Sequence, residues 1–341
     1  MSSNTHHTDI AVIGAGPVGL FTVFEAGMLK LNCHVIDTLD FVGGQCTALY
    51  PEKPIYDIPA HPSITGEQLI DNLKEQADAF SPTYHLGQQV MKLERKGEEW
   101  LLTTSKDVKI YTKTVVIAAG CGAFGPNRPP IEDLDKYEGK SIFYMVGKKD
   151  EFKGKKVVIA GGGDSAVDWA ISLADVAEKV YVVHRRQKFR CAPESEDRLR
   201  RLATEGKPNV ELVIPYQLDS LNGKNGQLKQ VVVSTLKGEK RELDADILLP
   251  FFGLAMELGP IADWGLGLDK NYIKVHPTTL ATSEKGIFAI GDIATYENKL
   301  KLILNGFAEA SMACYAARKV IYPEKDFHFE YSTTQGVPDA A

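Results

Sequence analysis

The feature that most constrains this chain of 341 residues is a glycine-rich segment that occurs twice, each time between two apolar runs. The glycine-rich segments read GAGPVG at residues 14–19 and GGGDSA at residues 161–166. Each follows a strand-like run and precedes a helical pattern and a second strand, so the copies span residues 9–37 and 156–184. One constant spacing superposes them, which predicts two βαβ units of the same kind.

The residue types in each copy suit the binding of a dinucleotide. The first glycine permits a tight turn from strand to helix, the second lets the backbone approach a pyrophosphate, and the third position must be small for helix–strand packing. The helix N-terminus then offers free N–H groups and partial positive charge to the phosphates. The candidate phosphate-site residues are Gly14, Gly16, Pro17 and Gly19 in the first copy, and Gly161, Gly163, Asp164, Ser165 and Ala166 in the second.

The two copies differ where their second strands end. The first ends in Asp37, whose carboxylate is suited to accept hydrogen bonds from a ribose diol, as in FAD. The second ends in His184, Arg185 and Arg186, with Arg190 one turn further along. Guanidinium groups bind a 2′-phosphate by charge and bidentate hydrogen bonds, which favours NADP(H) over NAD(H). The alternative interpretation of the arginines is a solvated basic strand end.

Two further buried-strand patterns, at residues 113–120 and 285–292, complete the first unit. They predict a discontinuous FAD domain over residues 1–123 and 286–341, with the NADP(H) domain inserted over residues 124–285. The fold class is therefore predicted to be α/β, with two Rossmann-like, three-layer (ββα) dinucleotide-binding domains.

Composition excludes several partners. The net charge of −6 and the isoelectric point of about 5.8 argue against nucleic acid, because phosphate binding needs a basic face. No apolar run approaches the roughly 18 residues of a membrane span, and residues 1–8 lack a signal-peptide pattern, so we expect a cytoplasmic protein. The five cysteines never form a C-x-x-C pair, and no metal site is predicted.

The motifs GAGPVG, GGQ at residues 43–45, GGGDSA, HRR and GIFAIGD occur in this order. Together they resemble the thioredoxin-reductase-like flavoproteins over nearly the whole chain. The resemblance implies that Asp292 contacts the flavin ribityl chain and that Gly44 and Gln45 contact the dinucleotide. It also implies a helix over about residues 302–321, whose N-terminus faces the flavin pyrimidine edge, where a helix dipole stabilises the negative charge of reduced flavin.

One departure from thioredoxin reductase changes the expected chemistry. Those enzymes carry a C-x-x-C pair before the second glycine motif, whereas residues 141–149 of this chain contain no cysteine. Disulfide exchange needs two thiols within reach of each other, so we expect none at that place. The chain also continues beyond Pro323 in a tail with aromatic residues.

The tail and Tyr50 resemble the thioredoxin-reductase-like ferredoxin–NADP+ reductases. The resemblance implies that Tyr50 stacks on one flavin face and that Tyr331, in tail 323–341, covers the other from the partner subunit of a homodimer. The FAD contacts that it implies are Asp37, Gln45, Tyr50, Val90, Phe124, Asp292 and Thr333. Val90 and Phe124 are equally compatible with core positions, and the tail with a disordered terminus.

The implied activity is hydride transfer between NADP(H) and FAD, and single-electron transfer between FAD and ferredoxin or flavodoxin. Protein groups, mainly Tyr50, Tyr331 and Thr333, would position the flavin rather than react. Docking of an acidic partner needs a local basic patch, and the best candidate is formed by Lys148, Lys149, Lys153, Lys155 and Lys156. The alternative interpretation of these lysines is a solvated charged loop. Two alternatives stay open: an NADPH-dependent disulfide or small-substrate reductase, and a non-catalytic flavin-binding sensor or scaffold.

Overall fold

The computed structural model describes residues 4–206, 208–325, 333 and 336–337, with side chains for all of these except residues 123–125, 206 and 254–255. The described residues form two compact units, the first within residues 1–124 and 256–341 and the second within residues 125–255. Within the described residues, no helix is long and apolar enough to cross a membrane. Nor does any group of three or more His, Cys, Asp or Glu side chains in this part of the chain have a metal-binding arrangement.

Six α-helices are described: α1 (Pro17–Met28), α2 (Gln45–Leu49), α3 (Gly66–Asp78), α4 (Asp164–Leu173), α5 (Pro193–Arg201) and α6 (Ile303–Ile321). The strands in the first half of the chain are β1 (Thr5–Ile13), β2 (Cys33–Ile36), β3 (Pro54–Ile55), β4 (Ile64–Thr65), β5 (Thr83–His85), β6 (Val90–Lys96), β7 (Glu99–Thr104), β8 (Lys109–Ile117), β9 (Ala123–Pro126) and β10 (Lys156–Ala160). Those in the second half are β11 (Lys179–Val183), β12 (Val210–Val213), β13 (Gln217–Lys224), β14 (Gln227–Ser234), β15 (Lys240–Asp244), β16 (Ile247–Pro250), β17 (Leu254–Glu257), β18 (Leu268–Asp269), β19 (Tyr272–Lys274), β20 (Ile287–Ala289) and β21 (Ala294–Thr295).

The first unit is built on one sheet with the strand order β5-β2-β1-β8-β7-β6, in which β20 also pairs with β8. Strands β5, β2, β1, β8 and β20 are parallel, whereas β7 runs antiparallel to β8 and β6. Parallel strands covered on both faces are apolar throughout, and Ile10, Val12 and Val116 are fully buried. Helices α1 and α6 contribute Leu20 and Ala313 to the core over one face.

The second unit repeats this plan on a smaller scale. Its parallel sheet has the order β12-β11-β10-β16, and a separate antiparallel sheet has the order β13-β14-β15. Helix α4 packs its buried residues, among them Trp169 and Leu173, against the sheet residues Val157 and Val180. The described fold is therefore α/β with two βαβ units, each built on a parallel sheet, as the glycine repeat predicts.

The second boundary of the insertion lies at residue 256, not at residue 286 as the sequence predicts. The segment between these positions packs in the first unit, because Leu258, Ile261, Leu266 and Ile273 join the core formed by Ile110 and other β8 residues. These side chains are separated from β8 by more than a hundred positions in the chain, so no local pattern indicates which core they enter.

A cluster of three histidines lies on the neighbouring strands β1, β2 and β5. The rings of His6, His34 and His85 have centroids 5.0 to 5.3 Å apart, and His34 Nδ1 lies 2.9 Å from His85 Nε2. Burial lowers the pKa of His34 to about 4, with smaller contributions from His85 and His6, and burial also lowers the pKa of His85. The folded state therefore holds both rings neutral.

The cluster predicts a loss of stability in mild acid. The unfolded chain binds protons on these rings below its pKa of about 6.5, whereas the folded chain resists protonation. The free energy of unfolding should therefore fall between about pH 6.5 and pH 4, by roughly 1–3 kcal/mol from this cluster. Urea unfolding at pH 7 and pH 5 measures it. His34→Gln/His85→Gln should lose less stability over that interval than the wild-type chain, and an equal loss in both would contradict the prediction.

Candidate cofactor-binding sites

Two glycines of the first motif are needed by the fold itself. Gly14 has φ +111°, and a Cβ there would lie 2.4 Å from the carbonyl oxygen of Ala118. A Cβ on Gly19, in the first turn of α1, would lie 1.9 Å from the Gly14 carbonyl oxygen. The first and third glycines therefore allow the tight turn and the close packing of α1 on β1.

Gly16, the middle glycine, has a different environment. Its φ is −72°, which any residue adopts, and a Cβ there would meet only the Cα of Gly44, at 4.0 Å. Pro17 begins α1, no side chain caps the helix, and its first turn contains no acidic residue. Since Gly16 and Gly44 both line a cleft, the free N–H groups of α1 lie beside a space that the protein leaves open.

Asp37 lies in the same cleft, directly after β2, and is half-buried. Its Oδ2 accepts a hydrogen bond from the Ala15 N–H at 2.6 Å, and its Oδ1 accepts one from the Leu39 N–H at 2.8 Å. Burial raises the pKa of Asp37, and these backbone hydrogen bonds oppose that shift. Thr38 also contributes hydrogen bonds to this carboxylate, which lies where dinucleotide-binding folds place the acceptor of a ribose diol.

The short helix α2 forms a second wall. Gln45 donates a hydrogen bond from Nε2 to Cys121 Sγ at 3.4 Å, which fixes its amide against the turn after β8. Tyr50 follows the helix, and its hydroxyl accepts a hydrogen bond from Cys46 Sγ at 3.6 Å. Burial raises the pKa of Tyr50, so the phenol stays neutral. Val90, at the start of β6, is buried, belongs to the core and also lines the cleft.

The far end of the cleft is formed by Asp292 and by the N-terminus of α6. Asp292 lies in a short 3-10 helix, Gly291–Ile293, and burial raises its pKa, while Lys299 and Lys301 lower it. Residues 301–303, where α6 begins, line the same cleft. No side chain caps α6, and its first turn contains no acidic residue. Two helix N-termini thus border one cleft, which has an empty volume of about 1270 Å³ including its open mouth.

This arrangement fits a dinucleotide that has a pyrophosphate at α1, a ribose diol at Asp37 and an electron-rich ring at α6. Of the sequence-predicted residues, the structure brings together Gly14, Gly16, Pro17, Asp37, Gly44, Gln45, Tyr50, Val90 and Asp292. The Phe124 side chain and Tyr331 lie outside the described residues. Thr333 is described as exposed.

The three positions of the second glycine motif, in the other unit, have the same structural roles as those of the first motif. Gly161 has φ +154°, and a Cβ there would lie 2.5 Å from the Phe251 carbonyl oxygen. Ala166 occupies the third position, and its own Cβ would lie 3.1 Å from that added Cβ. Gly163 has no heavy atom within 4 Å of an added Cβ. Asp164 and the exposed Ser165 begin α4, which no side chain caps.

His184 has a packing role in the structure. It is 8% exposed, and its ring occupies the space that a Cβ on Gly162 would need. The ring also stacks on Phe189, with centroids 5.2 Å apart. Burial lowers the pKa of His184, so the imidazole stays neutral. The sequence predicts that His184 binds the cofactor together with the arginines, and this stays a prediction. In the structure its ring packs against the Gly162 turn and Phe189.

The arginines of this unit are accessible. Arg185, Arg186 and Arg190 are exposed at the end of β11 and in the segment that follows. The Arg190 N–H donates a 2.6 Å hydrogen bond to the Gly162 carbonyl oxygen, which ties that segment to the glycine turn. The backbone of Arg190 is therefore held beside the glycine turn, and the charges of all three arginines act on His184, whose ring packs against that turn.

The predicted lysine patch carries less free charge than its sequence indicates. Lys149 pairs with Asp175 at 3.5 Å, and Lys156 lies 3.8 Å from Asp244 and 4.0 Å from Glu178. Lysines that already lie beside carboxylates of the same chain attract an acidic partner less strongly than lysines without such neighbours.

Sequence reasoning missed two sets of residues at the cleft. Leu258, Pro260, Ile261 and Trp264 line it, although their segment is predicted to belong to the inserted domain. The second set is a buried ion pair between Lys299 and Glu309 behind Asp292. Glu309 stands among small apolar residues in the sequence of α6. That position indicates a buried ion pair, since carboxylates are almost never buried without a partner.

A family model described as pyridine nucleotide-disulphide oxidoreductase matches residues 8–313. A ferredoxin–NADP reductase of Paramagnetospirillum magneticum is 60% identical over 98% of this chain and 98% of its own length. One of Rhodospirillum rubrum is 60% identical over 99% of both chains. The chain belongs to the ferredoxin–NADP reductase family. Within the solved structures, it resembles the thioredoxin reductase of Lactococcus lactis with a TM-score of 0.80, 22% identity, and coverage of 93% of this chain and 99% of the other. That likeness supports the fold alone.

Proposed function

We propose that this family member is a ferredoxin–NADP+ reductase that binds FAD in the cleft of the first unit and NADP(H) at the second glycine motif. The observation that carries the proposal is the 60% identity to ferredoxin–NADP reductases over nearly the full length of both chains. The cleft supports it independently, because two uncapped helix N-termini and the Asp37 carboxylate, which is suited to a ribose diol, border a single space.

In this proposal the residues of the first unit bind and orient FAD. The N–H groups at the start of α1 hold the pyrophosphate, which Gly16 and Gly44 allow to approach, and Asp37 accepts hydrogen bonds from the ribose. Gln45 and Asp292 orient the flavin end, and Tyr50 covers one ring face. Bound FAD would supply the chemistry that links NADPH, a hydride donor, to ferredoxin, a one-electron acceptor. The N-terminus of α6 favours negative charge at the ring.

In the second unit, the start of α4 holds the pyrophosphate of NADP(H), with Gly163 leaving room for it. Arg185, Arg186 and Arg190 bind the 2′-phosphate, which distinguishes NADPH from NADH. His184, whose ring packs against the Gly162 turn, contributes to this site together with the arginines.

The thiols disfavour the alternative function, NADPH-dependent disulfide reduction. The attacking species in disulfide exchange is a thiolate. All five cysteines are free and buried or half-buried, and burial raises the pKa of each: Cys33, Cys46, Cys121, Cys191 and Cys314. None of them is therefore prepared to act as a nucleophile at neutral pH.

We therefore expect NADPH to bleach the bound flavin rapidly in stopped-flow mixing, and ferredoxin, not thioredoxin, to reoxidise it with turnover. A variant with Cys46 and Cys121 replaced by Ser, which keeps a hydrogen-bonding group beside Tyr50 and Gln45, and with the other three cysteines replaced by Ala or Ser should retain at least half of the ferredoxin activity. Slow or absent bleaching would favour a flavin-binding sensor. Loss of turnover in a folded, FAD-loaded, cysteine-free variant would instead show that a thiol takes part.

The finer features of the proposal concern assembly. We propose a cytoplasmic homodimer in which the tail, residues 323–341, covers the flavin of the partner subunit with Tyr331 and Thr333. Phe124 contributes to the FAD site, and flavodoxin serves as a second acceptor.

Deletion of the residues after Pro323 tests the tail. FAD should remain bound, because the described cleft residues hold its phosphates and sugar, while the flavin absorption spectrum and the rate of reduction by NADPH should change. Loss of an aromatic stacking contact costs roughly 0.5–1.5 kcal/mol in addition to the loss of buried apolar area. Identical spectra and rates in the truncated and full-length proteins would remove the proposed role of the tail.

A further inference from the structure

Helix α6 contains a carboxylate that is almost completely buried and hydrogen-bonded through both of its oxygens. Glu309 is 3% exposed. Its Oε2 accepts a hydrogen bond from the Gly291 N–H at 2.7 Å, and its Oε1 accepts one from the Tyr296 hydroxyl at 2.6 Å. The Lys299 ammonium, on a side chain only 4% exposed, donates to the same Oε1. Both carboxylate oxygens are therefore occupied, and the lysine charge is also buried.

Stability alone is a weak reason for such a pair. Burying two charges removes their hydration, and apolar residues of similar volume are often as stable or more so. Glu309 is the one charged side chain among the buried residues of α6, which otherwise include Gly306, Ala310 and Ala313. The cost of burying both charges therefore calls for an explanation other than stability.

The pair lies directly behind the cleft. Glu309 fixes the N–H of Gly291, and Gly291 and Asp292 both line the cleft wall. Its charges also act there electrostatically: burial is the main cause of the raised pKa of Asp292, which Lys299 lowers and Glu309 raises. The positive and the negative member of the pair thus have opposite effects at a group that faces the cleft.

We propose that the Lys299–Glu309 pair is a charge-balancing element that sets the reduction potential of the flavin and holds the Asp292 turn in position. This inference rests on the proposed binding of FAD in the cleft. Both residues act through the turn and through the field, so they are positioning residues rather than catalytic ones.

The direction of each effect follows from charge. Reduced flavin carries more negative charge than oxidised flavin, and buried charges are screened little by salt. Without the Glu309 charge, the Lys299 ammonium is uncompensated and favours the reduced form, so the potential rises. Without the Lys299 charge, the Glu309 carboxylate opposes reduction, so the potential falls. Removal of both charges should restore a value near that of the wild-type protein.

The test is a redox titration of the purified, FAD-loaded protein with an indicator dye, for Glu309→Gln, Lys299→Met and the double variant. The measured quantity is the protein's affinity for reduced FAD divided by its affinity for oxidised FAD. We expect this ratio to rise at least tenfold in Glu309→Gln and to fall at least tenfold in Lys299→Met, which is about 30 mV each for a two-electron couple. The double variant should lie within threefold of wild type. Glu211→Gln, which removes a carboxylate paired with Arg241 at 2.6 Å in the other unit, should leave the potential unchanged.

Several outcomes would overturn the inference. Shifts of the same sign in both single variants, or no shift in either, exclude charge balance. Glu309→Asp and Lys299→Arg retain the charges, so shifts as large as those of the neutral variants would also exclude it. If neither neutral single variant holds FAD, retention of FAD by the double variant supports the balance, and loss of FAD there contradicts it. Failure of the wild-type protein to reduce ferredoxin would contradict the proposed function, while these potentials would still decide the role of the pair.

Discussion

Replacement of Gly16 by Ala is expected to abolish most FAD affinity while leaving the apoprotein as stable as the wild type. A Cβ at this position meets only Gly44 Cα, at 4.0 Å, and the backbone already has a φ of −72°. The methyl group would instead occupy the space through which the pyrophosphate approaches the start of α1. Loss of one charge-assisted hydrogen bond costs about 1.5–3 kcal/mol, so the dissociation constant should rise about tenfold to a hundredfold.

Fluorescence titration of the apoprotein with FAD, together with urea unfolding in its absence, measures both effects. The unfolding free energy of Gly16→Ala should lie within about 1 kcal/mol of the wild-type value, because Ala restricts the unfolded chain but is a poorer N-cap residue for α1 than Gly. Gly19→Ala is the opposite case, because its Cβ would lie 1.9 Å from the Gly14 carbonyl oxygen, and it should destabilise the apoprotein itself. Gly147→Ala, another glycine with open space around it, should change neither quantity. Unchanged FAD affinity in Gly16→Ala would place the pyrophosphate elsewhere.

The double variant Arg185→Ala/Arg186→Ala is expected to raise the KM for NADPH by at least a hundredfold, with kcat and the use of NADH little changed. Both side chains are exposed at the end of β11, and each charge-assisted hydrogen bond to a phosphate contributes about 1.5–3 kcal/mol. Binding that is equal in the ground state and the transition state appears in KM alone. The variant should therefore lose its preference for NADPH over NADH, while the rate of the hydride-transfer step should stay nearly unchanged.

Steady-state kinetics with ferredoxin as acceptor and each coenzyme as donor provides the measurement. Arg201→Ala is the matched control, since Arg201 is a basic residue of the same unit that pairs with Glu194 at 3.1 Å. It should leave the preference for NADPH over NADH intact. Equal losses with NADPH and NADH in the double variant would mean that these arginines do not recognise the 2′-phosphate.

The Lys299–Glu309 ion pair and the histidine cluster show why some contacts in the first unit could not be predicted from the sequence. His6, His34 and His85 come together only because β1, β2 and β5 are neighbours in the sheet. Glu309 meets Gly291 only because α6 returns across the first unit. Such contacts join residues that are distant along the chain, and neither hydrophobic period nor turn chemistry encodes them.

The amino-acid sequence by itself determined the two βαβ units, the phosphate-binding turns and the difference between Asp37 and the arginines, because each depends on residues that are near one another in the chain. A glycine turn, a helix N-terminus and a strand end are local structures with local causes. Only the tertiary structure decided that residues 256–285 belong to the first unit, that His184 lies beneath its turn, and that a buried lysine–glutamate pair lies behind Asp292. Those features depend on which distant side chains fill the same core, and packing of the complete chain is what selects them.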